Sequence, residues 1–134
     1  MHPDYQRADR WSPKVIGAAI EVHRDKGPGL LESIYQRCLL HELSLRGIPA
    51  EREVRVPISY KDLVFDEEIR LDVLVDRCLV IEIKAVETVL PIHLAQTLSY
   101  MRLLNVPVGL VVNFHEPVLK QGIRRLTLRG ADQP

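Results

Sequence analysis

Two adjoining stretches in the middle of this chain alternate apolar and polar residues with the period of a β-strand. Ile69, Leu71, Val73 and Val75 share one face of the first, and Leu79, Ile81 and Ile83 share one face of the second. A buried apolar face fixes the register of such a hairpin, because a one-residue slip would turn the whole set outward. Bringing both sets to one side requires an odd-numbered loop, and Asp76-Arg77-Cys78 is the shortest sensible one. In that register Val75 opposes Leu79, Val73 opposes Ile81, Asp72 opposes Glu82 and Arg70 opposes Lys84. Asp72, Glu82 and Lys84 then share the face opposite the apolar set.

The rest of the chain reads in the same way. Residues 1–11 are polar and expected to be loose, with Trp11 as an anchor onto the domain. Ser12 and Pro13 form an N-cap and first helical position. Val15, Ile16, Ala19, Ile20 and His23 continue at helical spacing until Gly27-Pro28-Gly29. A second helix runs from there to Arg46 and ends at Gly47. Strand patterns follow at 51–60, 66–75 and 78–84, with Lys61-Asp62 in the first turn. Pro91 opens a third helix through Leu104. Residues 108–114 form a buried strand, and 118–128 a short turn and last strand. Three sequential strands suggest a meander, and a helix between the third and fourth suits a crossover. The fold class expected is α/β, a mixed central β-sheet flanked by α-helices. Its parts are a flexible segment 1–11, one domain over 12–129 and a tail over 130–134.

Charged residues inside Val/Ile/Leu-rich runs are costly to bury without partners. Directly opposed strand residues have Cβ atoms roughly 4.5–5.5 Å apart, so one metal ion can be gripped by both Asp72 and Glu82. Two bare carboxylates that close repel one another, which calls for a cation or a shared proton. With Lys84 beside them, the set can hold a divalent metal and activate a water, and this points to phosphodiester cleavage. The competing reading is a half-exposed strand whose polar residues are simply wet.

Other residues extend the candidate site. Glu32, in Gly29-x-x-Glu32-x-x-Tyr35, stands in the first turn of the second helix, where an acid also suits the helix dipole. There it offers a further carboxylate to the metal. His93, Gln96 and Tyr100 fall on one face of the third helix, which begins just after Lys84. Gln96 and Tyr100 can orient a metal-bound water or bind a phosphate, and His93 can ligate or relay a proton. Arg124 and Arg125 are candidates for contact with a nucleic-acid backbone.

Composition narrows the picture. The chain has 134 residues, which suits one domain, and a formal net charge of +0. No global positive field therefore attracts nucleic acid, and phosphate contacts must come from a local patch or the metal. Cys38 and Cys78 lack the spacing of a zinc site and are expected to be free thiols. No stretch reads as a signal peptide or approaches membrane-spanning length, so a cytoplasmic location is expected, without a membrane partner.

Several motifs in order resemble the GxxExxY protein family. They are His23-Arg24-x-x-Gly27-Pro28-Gly29-Leu30-Leu31-Glu32-Ser33-Ile34-Tyr35, Arg70-Leu71-Asp72, Glu82-Ile83-Lys84-Ala85-Val86-Glu87, His93-x-x-Gln96-x-x-x-Tyr100 and Gly109-Leu110-Val111-Val112-Asn113-Phe114. The resemblance covers about 12–128. That family is placed in the PD-(D/E)xK nuclease-like superfamily. The resemblance implies a restriction-endonuclease-like core with Asp72, Glu82 and Lys84 at the active-site positions. Glu32 matches the helix glutamate, and Gln96 with Tyr100 the Gln-x-x-x-Tyr element of exonuclease-like branches. Leu71 stands where a proline often precedes the aspartate.

The resulting expectation is a nuclease dependent on Mg²⁺ (or Mn²⁺), acting on nucleic acid, in the first instance DNA. Asp72, Glu82, the Ile83 carbonyl and Glu32 are the candidate metal ligands, hard oxygen donors that suit Mg²⁺. Lys84 positions the attacking water or stabilises charge on the phosphate. So small a domain offers little surface for gripping a duplex, which suits a homodimer. Two alternatives stand beside this one. The first is a non-catalytic nucleic-acid- or protein-binding module on the same fold. The second is a metal-dependent hydrolase of small phosphoesters.

Overall fold

A computed structural model describes residues 1–134. The elements run α1 (Tyr5–Lys26), α2 (Glu32–Leu45), β1 (Ala50–Val56), β2 (Ser59–Tyr60), β3 (Leu63–Val64), β4 (Ile69–Val75), β5 (Leu79–Lys84), α3 (Pro91–Leu104), β6 (Val108–Asn113) and β7 (Ile123–Thr127). A five-stranded sheet in the order β1-β4-β5-β6-β7 is flanked by helices. Only β5 and β6 are parallel, joined by the α3 crossover; the other neighbours are antiparallel. This mixed sheet is the restriction-endonuclease-like core. No helix is long and apolar enough to cross a membrane.

Two apolar clusters sandwich the sheet. The larger joins α1 and α2 to Val73, Val75, Leu79, Ile81, Ile83, Leu110 and Val112. The smaller gathers Leu71, Leu74 and Val80 with Met101 of α3. The hairpin register is the one expected from the alternation, with Val75 opposite Leu79 and Val73 opposite Ile81. Its turn takes Asp76 and Arg77 into positive φ, at 47° and 56°.

The common face expected for Ile69, Leu71, Val73 and Val75 does not hold. Val73 and Val75 face the α1/α2 side, whereas Leu71 and Ile69 pack with the α3 cluster. Neighbouring β1 switches in step, since Ala50 joins the first cluster and Val54 and Val56 the second. The change falls at Asp72 and at Glu53, which takes a φ of 50° between two paired positions of β1. Arg70 consequently pairs with Arg55 of β1 and has no partner in β5, contrary to the expected Arg70–Lys84 pairing.

The first helix begins at Tyr5, so residues 5–11, expected to be loose, are helical. Ser12 is no cap; it is buried, and its hydroxyl donates to the Ala8 carbonyl at 3.0 Å. An interior proline such as Pro13 costs about 3 kcal/mol. Tertiary contacts offset it. Ala8 extends the buried stripe of Val15, Ala19 and Val22, and Trp11 and Arg7 bind the β4–β5 turn through Asp76. The strand pattern over 51–60 breaks after Val56, because Pro57 has no N–H to continue a ladder. Beyond it, β2 and β3 form a separate hairpin around Lys61-Asp62.

Glycine permits the turn between α1 and α2, where Gly27 and Gly29 lie at φ 66° and 103°. Tyr35 clamps that turn. Its hydroxyl donates to the Gly27 carbonyl and accepts the Leu30 N–H, while its ring stacks on Phe114 at 4.5 Å.

Buried Asn113, paired in register with Lys84, shapes the segment leaving β5. Its Oδ1 accepts the Val86 and His115 N–H groups at 3.0 and 3.2 Å, and its Nδ2 donates to the Val86 carbonyl at 2.8 Å. At about 1 kcal/mol per bond, Asn113→Ala should cost roughly 2–3 kcal/mol. Urea unfolding measures this, and a loss below about 0.5 kcal/mol would show that these bonds do not hold the segment.

Candidate active site

Asp72 and Glu82 meet where the regular β4–β5 ladder ends. The Asp72 N–H donates to Glu82 Oε1 at 3.0 Å, and the Ile83 N–H donates to Asp72 Oδ2 at 2.8 Å. Side chains thus take over the bonds that backbone carbonyls make elsewhere in the sheet. Asp72 reaches sideways toward β5 instead of standing on one face, and this accompanies the change of face at that residue. From α2, Gln36 Nε2 donates to the Asp72 carbonyl at 3.0 Å. The N–H, the carbonyl and one carboxylate oxygen of Asp72 are therefore tied down.

Glu82 is buried and forms no ion pair; Asp72 and Lys84 are half-buried. Burial and then the Asp72 charge push the Glu82 carboxyl up to about 8. Burial also raises Asp72, opposed by the Ile83 N–H and by the nearby Lys84 charge, while the Glu32 charge raises it further. Both acids are pushed the same way, so the pair favours holding a proton that an exposed carboxylate would release. Lys84 favours the ionised form of both acids without forming an ion pair with either.

The other sequence candidates are distributed unequally. Glu32, at the exposed start of α2, accepts the Ala85 N–H at 3.3 Å. It adds negative potential at Asp72 but does not complete a cage, for no three His, Cys, Asp or Glu side chains gather closely enough to hold an ion by themselves. Tyr100 is half-buried beside the acids; burial, then Glu82 and Asp72, raises its phenol. Gln96, one turn earlier on α3, is exposed. His93 Nδ1 accepts the Leu90 N–H at 2.9 Å, so that nitrogen serves the start of α3.

The two arginines of β7 separate. Arg124 is level with Glu82 through Val111, two strand spacings or roughly 10 Å away. Arg125 turns to α1, where it bonds Asp9 at 2.9 Å and Tyr5 at 3.2 Å. The structure thus engages Arg125 with α1 in an ion pair at the surface. Two residues that organise the site, Gln36 and Asn113, were not singled out from the sequence. The available signal was a polar side chain on the buried edge of α2, four residues after Glu32 and between Tyr35 and Leu39.

The donor set suits a hard divalent cation. Two adjacent carboxylates and a backbone carbonyl offer only oxygen, and Mg²⁺ is commonly held by one or two carboxylates with waters completing its shell. A buried acid pair without a counter-ion is also the environment a cation relieves. The largest cleft, about 540 Å³ between α1 and α2, contains none of these residues.

The shift of Glu82 sets a pH dependence. Its folded-state value lies near 8 against an ordinary 4.5, so the folded protein holds a proton that the unfolded chain releases. That contribution is full below about 4.5 and is lost as pH rises through about 8. Metal-free protein should therefore melt progressively lower from pH 5 to pH 8.5. Glu82→Gln, neutral throughout, should melt several degrees above wild type at pH 8.5 and close to it at pH 5. Parallel pH profiles of the two proteins would refute this origin.

A family model described as the PD-(D/E)XK nuclease superfamily matches residues 9–126. No curated protein and no solved structure matches the chain.

Proposed function

Because the chain belongs to the PD-(D/E)XK nuclease superfamily, whose nucleases generally use divalent metal ions, we propose that it is a nuclease of the GxxExxY type, dependent on Mg²⁺ or Mn²⁺ and acting on DNA. The observation that carries this reading is the Asp72–Glu82 pair, two interlocked acids without a counter-ion and with Lys84 beside them.

In this reading Asp72, Glu82 and the Ile83 carbonyl hold the ion. When bound, such an ion supplies charge stabilisation at the phosphate and lowers the pKa of a bound water. The chain's own groups do the rest. Lys84 orients the attacking water and places positive charge where the phosphate becomes more negative. The backbone N–H bonds to Asp72 and Glu82 fix both carboxylates before substrate arrives, so little reorganisation is needed. Glu32 acts through water, because its carboxylate already serves the Ala85 N–H. Tyr100 and Gln96 line the α3 side and orient the scissile phosphate, while Arg124 lies within reach of a neighbouring one. The whole of α1 to β7 is the catalytic unit.

The experiment is cleavage of single- and double-stranded DNA, and of RNA, by pure protein with Mg²⁺ or Mn²⁺, alongside calorimetry of metal binding. Asp72→Asn, which keeps an oxygen acceptor for the Ile83 N–H, and Lys84→Ala should each lower cleavage at least 100-fold while circular dichroism stays unchanged. Metal should raise the wild-type melting temperature by mass action, and the Asp72→Asn protein should lose most of that response. Metal binding without cleavage of any nucleic acid would assign the fold to a binding role. Absence of both metal binding and cleavage would remove the nuclease reading.

A further inference from the structure

A second cluster of polar chemistry sits at the opposite end of the β4–β5 hairpin. Trp11, the only tryptophan in the chain, is half-buried on α1 and packs against the larger apolar cluster. Its Nε1–H donates to the Asp76 carboxylate at 2.9 Å, which fixes the ring. Lys14 Nζ stands over the ring, 5.3 Å from its centroid. Two clefts flank the indole. One, of about 440 Å³, is lined by Trp11, Lys14, Arg46, Gly47 and Ile48. The other, of about 270 Å³, is lined by Arg7, Arg10, Trp11, Lys14 and Asp76.

The charge balance here is one-sided. Four cations line the two clefts against one acid, in a chain whose formal net charge is +0. That acid, Asp76, is already committed to Trp11 and Arg7. Arg7 is further held by Asp4, and Arg46 by Glu42. Arg10 and Lys14 are exposed and belong to no ion pair, and they stand one and three residues from the indole along α1.

A fixed aromatic ring, with the flexible Lys14 side chain over one face, Arg10 next to it and neither cation in an ion pair, has the two features that hold a single strand. Bases stack on the ring, worth about 1–3 kcal/mol each, and cations follow the phosphates. Asp76 lies just past the end of β4, four residues from Asp72, so the two polar clusters stand at separate points along that strand. We propose that the Trp11 cleft is a second contact for a single-stranded segment of nucleic acid, with a base on the indole and phosphates at Arg10 and Lys14. The choice of nucleic acid as occupant rests on the nuclease reading; the concentration of charge around the ring does not.

The lone tryptophan makes the test direct. Metal-free protein is titrated with a fluorescein-labelled single-stranded oligonucleotide while indole fluorescence and oligonucleotide anisotropy are followed together. Both signals should saturate at the same concentration. The double variant Arg10→Glu/Lys14→Glu, altered only at exposed positions, should bind roughly tenfold more weakly and lose about 1.4 from the log–log salt slope, as expected for two phosphates of a single strand. Inorganic phosphate and polyglutamate should leave the indole signal unchanged at the same concentrations. An oligonucleotide that binds without changing indole fluorescence overturns the proposal, as do an unaffected double variant, an equal response to either control anion, and no binding at all. Cleavage in Mg²⁺ by a protein that fails this test would leave the nuclease reading standing. Saturable indole quenching by a protein that cleaves nothing would leave the second contact standing alone.

Discussion

The interlock between Asp72 and Glu82 is the constraint on which the rest of the site depends. At one level of the β4–β5 pair, two carboxylates replace backbone carbonyls as acceptors, one for the Asp72 N–H and one for the Ile83 N–H. Buried backbone donors must find acceptors, so the acids are structural as well as chemical. They are also too close to be charged together without help. One proton, or one cation, is therefore built into the stability of the folded protein.

The neighbouring elements make sense in relation to that point. Gln36 satisfies the Asp72 carbonyl that the local kink frees from the ladder. Glu53 in β1 adopts its unusual φ across from the same kink, so two strands change face together and the pairing on either side survives. Glu32 and Asn113 secure the chain as it leaves β5, through Ala85 and Val86. Lys84 is thereby held between a fixed strand and a fixed turn.

Much of this was legible in the sequence. The period-two alternation yielded the hairpin, its three-residue turn and the pairing of Val73 with Ile81 and Val75 with Leu79. The helix-crossover-strand order yielded the mixed sheet. Alternation could not reveal the change of face at Asp72, because that arises from side chains competing with the backbone for hydrogen bonds, an interaction between strands that no single strand encodes. For the same reason the Arg70–Lys84 pairing was misread. Local capping rules placed the start of α1 at Ser12-Pro13, whereas burial of Ala8 and the contacts of Arg7 and Trp11 with Asp76 carry it back to Tyr5. Tertiary contacts outweighed a local breaker. The ion pair of Arg125 with Asp9 was not legible, because the partner is distant in sequence.

The position of α1 bears on how the molecule is made. This first helix packs against Leu79 and Ile81 of β5, Leu110 and Val112 of β6, and Leu119 just before β7, all encoded far downstream. On a ribosome it emerges long before any of those surfaces exists. Its apolar stripe of Val15, Ala18, Ala19 and Val22 must then wait for most of the chain to be synthesised, sheltered only by the neighbouring α2. Such long-range closure slows folding, and it leaves the helix's apolar stripe exposed until the sheet has formed.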